Sequence, residues 1–232
     1  MATNYQSILP FLTTDRLPFF QIAEKYITPE SRIADYGCGI GKFAESIKRD
    51  DVFLIDSNSE TVSFLKRKYK NVFLSSANVL PFENNFFDLI HCSHVIEHLY
   101  PNELYDLLCE FNRCLKPNGY LIISTPLMHP GFYDDMSHIK PYSPYVIIKY
   151  LTKNSNENLT RKNISSAFTV IEIINRYSEV SINKLTINIL NSFVNKIFQK
   201  IKKVYYKLGF RSYIINGYTI VLKKESLHSI NE

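Results

Sequence analysis

The chain has 232 residues, 45 % of them hydrophobic and 21 % charged, with a formal net charge of +5. These are the proportions of an ordinary globular protein and exclude a wholly disordered chain, and no run approaches the roughly 18 apolar residues of a membrane span. The opening MATNYQSILPFLTTDR lacks the basic-then-apolar layout of a secretory signal, so a cytoplasmic location is expected, with Cys38, Cys92, Cys109 and Cys114 as reduced thiols.

Residues 8–28 read as an N-terminal helical segment, with apolar residues at helical spacing after Pro18. Short apolar runs then alternate with helical stretches. SRIADY (31–36) is a strand and GKFAESIKR a helix; DVFLID (51–56) is a strand and SETVSFLKRKY a helix; NVFLSS (71–76) is a third strand. FFDLIHCS (86–93) is a fourth, followed by a helix through NELYDLLCEFNRCLK and, after a turn at Pro117-Asn118-Gly119, the strand YLIIST (120–125). Strands alternating with helices of this length argue for right-handed crossovers and a parallel sheet covered on both faces.

Beyond residue 126 the alternation stops. TPLMHPGFYDDMSHIKPYSP is a loop with an acidic pair, and SPYVIIKYLT opens a helix with a Ser-Pro entrance. FTVIEIINRYSEVS (168–181) and RSYIINGYTIVLKK (211–224) carry enough β-branched and aromatic residues to be two strands, expected as an antiparallel pair closing one edge. Between them an amphipathic helical insertion is expected at about 182–210, with Lys196, Lys200, Lys203 and Lys207 opposite its apolar stripe. Charge follows this division. Residues 1–139 carry 12 Lys and Arg against 17 Asp and Glu, whereas residues 140–232 carry 15 against 5. That asymmetry points to an anionic ligand or surface for the C-terminal part, or to lysines that only keep the protein in solution. The basic helix could lie on an anionic membrane at the inner face, cover the acceptor pocket, or pack on the sheet.

Only seven glycines occur in the chain, yet three stand at 37, 39 and 41, after a strand and at the mouth of a helix. Such a loop lets the backbone turn sharply and lets a ligand come close at the carboxyl edge of the sheet. A dinucleotide site would place a further glycine at position 42, where Lys42 stands, and a phosphate loop would need other spacing and a hydroxyl after the lysine. Asp56 ends the second strand, 19 residues after Gly37, where an acidic residue accepts hydrogen bonds from ribose hydroxyls in nucleotide folds.

Asp35-x-Gly37-x-Gly39-x-Gly41 resembles motif I of the class I S-adenosylmethionine-dependent methyltransferases. The likeness runs on through Ala77-Asn78-Val79-Leu80-Pro81-Phe82, Phe87-Asp88, Val95-Ile96-Glu97-His98-Leu99 and Leu115-Lys116-Pro117-Asn118-Gly119, covering about residues 31–145. It implies a doubly wound α/β fold: a seven-stranded Rossmann-like sheet, mostly parallel with one antiparallel strand, and helices on both faces. It implies S-adenosylmethionine as cofactor, held by Asp35, Gly37, Cys38, Gly39, Gly41, Asp56, Ser57, Ser76, Ala77, Asn78 and Ser93. Ser76 stands where the family usually has an aspartate, so Ser76, Ala77 or Asn78 would meet the adenine amino group. The domain organisation expected is an N-terminal helical cap, 1–30, and a methyltransferase domain, 31–232.

For the acceptor, the fourth strand ends in His91-Cys92-Ser93-His94. No Asn/Asp-Pro-Pro-Tyr motif follows to grip a nucleobase amine, and no proline precedes Cys92 as in enzymes that attack pyrimidine C5. Asp135-Met136-Ser137-His138-Ile139-Lys140-Pro141-Tyr142-Ser143 is similar to a segment of bacterial methyltransferases acting on sugars, glycolipid precursors and small metabolites. A hydroxyl acceptor needs a base, and His138 is expected in that role, with Asp134 or Asp135 orienting it and His98 beside it. The catalytic candidates are therefore His138, Asp135 and His98. An alternative places His94, Glu97, His98 and His138 around a divalent metal, resembling the small-RNA 2′-O-methyltransferases with His94 in place of a glutamate. No metal is required by the first reading. From another class, the chain would be a cofactor-binding protein without catalysis. RNA is the less favoured partner, because no RNA-binding module is recognisable.

Overall fold

The computed structural model describes residues 9–76, 79–153, 161–179 and 212–226, with the isolated positions 200 and 204. The basic helix expected at about 182–210, and with it the membrane contact, thus falls almost wholly outside the described residues, as do Ala77 and Asn78. Seven strands form one sheet: β1 (Ile33–Tyr36), β2 (Phe53–Asp56), β3 (Val72–Leu74), β4 (Phe87–Ser93), β5 (Leu115–Pro126), β6 (Phe168–Glu179) and β7 (Tyr213–Lys224). Their order is β3-β2-β1-β4-β5-β7-β6. The pairings from β3 to β5 are parallel. β7 runs antiparallel to both β5 and β6, so it alone reverses direction. This is the doubly wound, mostly parallel sheet that the alternating pattern implies.

Five α-helices accompany the sheet among the described residues: α1 (Leu17–Phe20), α2 (Lys42–Ser46), α3 (Ser59–Leu65), α4 (Pro101–Cys114) and α5 (Pro144–Leu151). The central strands are apolar on both sides, and alternate residues serve opposite faces. Ile33, Leu54, Leu89 and Ile122 pack with Phe43 and Ala44 of α2, Val62 and Leu65 of α3, and Phe19 and Phe20 of α1. Ala34, Ile55, Ile90 and Ile123 face the other way, against Leu104, Leu107, Leu108 and Phe111 of α4 and Ile147 and Leu151 of α5. The spacing 104, 107, 108, 111 is one helical stripe, and truncating a fully buried phenylalanine such as Phe111 to alanine costs about 3–5 kcal/mol.

Three starts and stops follow from local chemistry. Asn58 caps α3 by accepting from the Glu60 and Thr61 amides at 2.8 and 3.2 Å. Tyr100 donates its amide to the Glu103 carboxylate at 2.7 Å, and Pro101 occupies the first turn of α4, where its missing N–H is not needed. Ser143 accepts from the Tyr145 amide ahead of Pro144 in α5.

The N-terminal segment departs from one continuous helix. It is a 3-10 turn at Leu9–Phe11, then α1, then a 3-10 helix over Gln21–Tyr26. Phe19, Phe20, Ile22 and Ala23 are buried in the same core as β1 and β4, so this cap shares the domain's core. Further out, Leu12 makes a parallel bridge with Tyr177 of β6, and Thr152 makes one with Phe168 at the other end of that strand.

Candidate functional site

The glycine loop leaves β1 at the carboxyl edge of the sheet, and all three glycines have positive φ: 69° at Gly37, 50° at Gly39 and 82° at Gly41. Gly37 is also forced by space, because a Cβ there would lie 2.1 Å from Val95 Cγ2. At Gly39 a Cβ would meet nothing within 4 Å, so this turn of backbone stands open to the cavity beside it. The Gly37 and Cys38 amides donate to the Ile55 carbonyl at 2.8 and 3.1 Å, pinning the loop to the end of β2. Two further amides fix Asp56: Gly39 N–H donates to Oδ2 and Asn58 N–H to Oδ1, both at 2.9 Å. Each carboxylate oxygen keeps a second lone pair for a hydroxyl donor.

One cavity lies against this loop and another at the ends of β2 and β3. One of about 740 Å3 is lined by Asp35, Gly37, Cys38, Gly39, His91 and Ser93, with Arg16, Leu17 and Phe20 from the N-terminal segment. The other, about 510 Å3, is lined by Ser57, Leu74, Ser75, Ser76 and Val79. Both have the size of small-molecule sites. Seven of the residues expected to hold the cofactor thus line a cavity: Asp35, Gly37, Cys38, Gly39 and Ser93 the first, Ser57 and Ser76 the second. Gly41 serves a different purpose, since a Cβ there would press on Tyr69 and Leu65 at 3.3 and 3.4 Å, where α2 packs on α3 and the chain just beyond its end. Asp35 is buried and bound by His91, whose Nδ1–H donates to Oδ1 at 2.7 Å. The His91 ring stacks on Phe43 at 3.8 Å between centroids, and its Nε2 has no partner among the described residues. His91 escaped the sequence reading because only the register of β1 against β4 sets it opposite Asp35. Burial, with Asp35 and Asp56 nearby, pushes the Cys38 thiol far up, so Cys38 is no nucleophile.

A second cluster is built from the segments that leave β4 and β5 at the same edge. A single 3-10 turn, Ile96–His98, follows β4. The Glu97 carbonyl accepts from the Ile139 and Lys140 amides at 2.8 and 3.2 Å, and this clip brings the Asp135–Tyr142 loop over the turn. The ligand atoms of Glu97, His98 and His138 then lie within 4.8 Å of one another. His138 Nδ1–H donates to the Phe132 carbonyl at 2.6 Å, and His98 Nδ1–H to the Ser137 carbonyl at 3.0 Å. Both imidazoles therefore keep the lone pair on Nε2. Asp135 stands 3.9 Å from His138 Nε2, beyond hydrogen-bond range, and spends Oδ1 on Ser137 at 2.9 and 2.6 Å; the Phe132 carbonyl is what orients His138. Glu97 is fully buried; Oε2 accepts from the Thr125 hydroxyl at 3.0 Å, while Oε1 has no partner among the described residues. Burial raises its carboxyl above the ordinary range.

His94 is a correction. The spacing His94-x-x-Glu97-His98 places all three on one face only if a helix begins at His94, but that residue has φ 57° and turns away. Its Nε2 accepts from Arg176 at 2.8 Å, which requires the proton on Nδ1, 3.1 Å from Ser93 Oγ. Burial first, then Arg16 and Arg176, lower its pKa to about 2, so it stays neutral. His94 is not part of the Glu97–His98–His138 cluster.

Arg176 is the second residue the sequence concealed. It sits at a register shift of β6, opposite Gly217, and a Cβ at Gly217 would lie 2.9 Å from its Nε and Nη2. Its only signal in the sequence is being the lone basic residue of an apolar strand.

Comparison with known proteins agrees with this geometry. Residues 34–123 match the family model described as a methyltransferase domain. A stretch of 118 residues is 32 % identical to the Arabidopsis thaliana protein named probable methyltransferase PMT27, covering 48 % of this chain and 13 % of that protein. The chain thus spans a small part of that relative's length. Among solved structures, a SAM dependent methyltransferase from Archaeoglobus fulgidus superposes with a TM-score of 0.61 at 23 % identity, covering 95 % of this chain and all of that one. The geranyl diphosphate C-methyltransferase of Streptomyces coelicolor, solved with Mg2+, geranyl diphosphate and S-adenosyl-L-homocysteine, superposes at 0.55 with 13 % identity, over 90 % and 77 % of the two chains. The glycine loop, the fixed Asp56 and the strand order belong together: residues 34–123 match a methyltransferase domain, and the chain has the fold of the SAM dependent methyltransferase from Archaeoglobus fulgidus.

Proposed function

We propose that this chain transfers a methyl group to a hydroxyl oxygen of a small acceptor, a sugar, glycolipid precursor or metabolite, bound against Glu97, His98 and His138. S-adenosylmethionine, when bound, supplies an electrophilic methyl on a sulfonium. The open backbone at Gly39 and the Asp56 carboxylate would hold its amino-acid and ribose parts, and Ser57 and Ser76 line the space for its base. Transfer is an in-line displacement, so the protein's work is to hold the acceptor oxygen in line and to help it lose its proton. The observation that supports this reading is the orientation of His138: with Nδ1–H tied to Phe132, Nε2 is available to a hydroxyl beside the buried Glu97. His138→Ala should lower turnover about 100-fold or more, with S-adenosylhomocysteine affinity unchanged by calorimetry. Full retained turnover would sink the reading.

A second reading, metal-assisted transfer to a ribose 2′-hydroxyl of RNA, is favoured by one observation. Two imidazole nitrogens and a carboxylate oxygen of Glu97 converge within 4.8 Å, a donor set that suits borderline divalent ions. Titration with Co2+, followed by its visible absorption, separates the two: a site lost in Glu97→Gln supports metal assistance, and no absorption change excludes it.

A further inference from the structure

The C-terminal excess of positive charge has no role in the reading above, yet one of its cations, Arg176, is bonded to His94, next to the cavity-lining Ser93. Arg176 is partly buried, and its three hydrogen bonds go to neutral groups: Nε to Asn216 Oδ1 at 3.0 Å, Nη2 to the Asn216 carbonyl at 3.2 Å, and Nη1 to His94 Nε2 at 2.8 Å. Among the described residues no carboxylate comes within ion-pair distance of it. The guanidinium has five N–H groups, so one on each terminal nitrogen is left over, the pair that grips a carboxylate or phosphate two-pronged.

The surroundings hold this cation in place, and the nearby Glu97 carboxylate favours its charge without pairing with it. The register shift at Arg176 and Tyr177 re-aims the side chain, and Gly217 opposite provides the room. His94 adopts the rare left-handed conformation at the end of β4 and keeps its lone pair toward Nη1, with Ser93 on its other nitrogen. Ser93 lines the larger cavity, so a hydrogen-bonded relay of Ser93, His94 and Arg176 begins at the cavity wall. Burial disfavours the charge on Arg176, the Glu97 carboxylate favours it, and Arg16, which lines the same cavity from the N-terminal segment, opposes it and also disfavours a charge on His94. Glu97 lies outside ion-pair distance, so the spare N–H groups of Arg176, with Arg16 as a second positive charge, suit an anion between or near them.

We infer that the methyl acceptor carries an anionic group, a carboxylate or a phosphate, and that Arg176, positioned by His94 and Asn216, binds it. The inference rests on the methyl-transfer reading and names the acceptor class within it. It assigns Arg176 to acceptor recognition, with Arg16 as the second positive charge at the cavity. Neutral sugars and alcohols would then be poor acceptors, and phosphorylated or acidic ones good.

The test uses the full chain, with and without saturating S-adenosylhomocysteine, titrated separately with inorganic phosphate and with acetate. The wild type should bind at least one of the two, phosphate binding naming a phosphorylated acceptor and acetate binding a carboxylate. Arg176→Met should weaken that binding about tenfold or more while leaving the affinity for S-adenosylhomocysteine unchanged. Binding of neither anion to the wild type, or binding that survives Arg176→Met, overturns the inference. So does a matching loss of S-adenosylhomocysteine affinity, which would assign the guanidinium to the cofactor's own carboxylate. Should Arg176→Met not fold, Asn216→Ala removes one orienting acceptor and is expected to weaken the anion severalfold; unchanged affinity there also counts against it. Failure to bind S-adenosylhomocysteine at all speaks to the methyltransferase reading alone, since the anion titrations are also run without it.

Discussion

The two halves of the carboxyl edge are made in opposite ways. At the cofactor half, backbone does the work: three positive-φ glycines, amides of Gly37 and Cys38 on Ile55, and amides of Gly39 and Asn58 on Asp56. At the acceptor half, side chains meet across long sequence distances, His98 with the 132–138 loop, and His94 with Arg176 of β6. A site made of backbone needs a fixed conformation, which only particular residues such as glycine adopt, so it leaves a motif. A site made of side chains needs only a topology that brings them together, and it can change its specificity without disturbing the first.

The most damaging way to probe that contrast is Gly37→Ala. With φ at 69° and Val95 Cγ2 at 2.1 Å from the new methyl, the loop must move, and we expect cofactor binding to be lost together with about 2–4 kcal/mol of stability. Calorimetry with S-adenosylhomocysteine and thermal melting read both; near-normal values would show that the loop is not held as described. Asp56→Ala comes next. It removes the acceptor of two amides and the expected ribose partner, and should weaken S-adenosylhomocysteine about 10- to 100-fold without unfolding the chain.

Glu97→Gln should act on the acceptor half in the opposite sense for stability. Burial raises the Glu97 pKa in the folded state, so its charge destabilises the fold once pH exceeds the unfolded value near 4.5, and fully above the folded value. The neutral glutamine should raise the melting temperature slightly at pH 8, and the gain should shrink as pH falls toward 4.5. A constant difference across that range would contradict the burial argument. The smallest effect is an absence: with its pKa near 2, His94 should show no titration by NMR between pH 4 and 8, whereas a midpoint inside that range would break the bond drawn to Arg176.

The same contrast explains what the amino-acid sequence disclosed. The strands and the parallel character of the sheet follow from alternation of apolar runs with helical stretches, and the late antiparallel pair from its β-branched composition, whereas the strand order came only with the structure. Asp56 and Ser93 drew notice because they close β2 and β4, and the glycines because they fill the turn between β1 and α2; Ser57 and Ser76 were named only through the family resemblance. His138 stood out in the loop after the fifth strand, and His98 through the His94-x-x-Glu97-His98 spacing. His91 and Arg176 were hidden inside apolar strands, where a titratable group looks like an interruption until the register is known. His94 misled for a related reason: spacing of three and four residues counts only along a helix, and the chain makes one 3-10 turn there instead.

The bridge from Leu12 to Tyr177 has a bearing on behaviour in solution. β6 is the last strand of the sheet, and an outer strand offers unpaired backbone groups to any other chain that can lie alongside it. Leu12 at one end and Thr152 at the other occupy parts of that edge, so the N-terminal segment covers part of β6 as well as lining the cavity. A chain trimmed past Leu12 would be expected to keep its sheet but to lose colloidal stability, and to aggregate through β6.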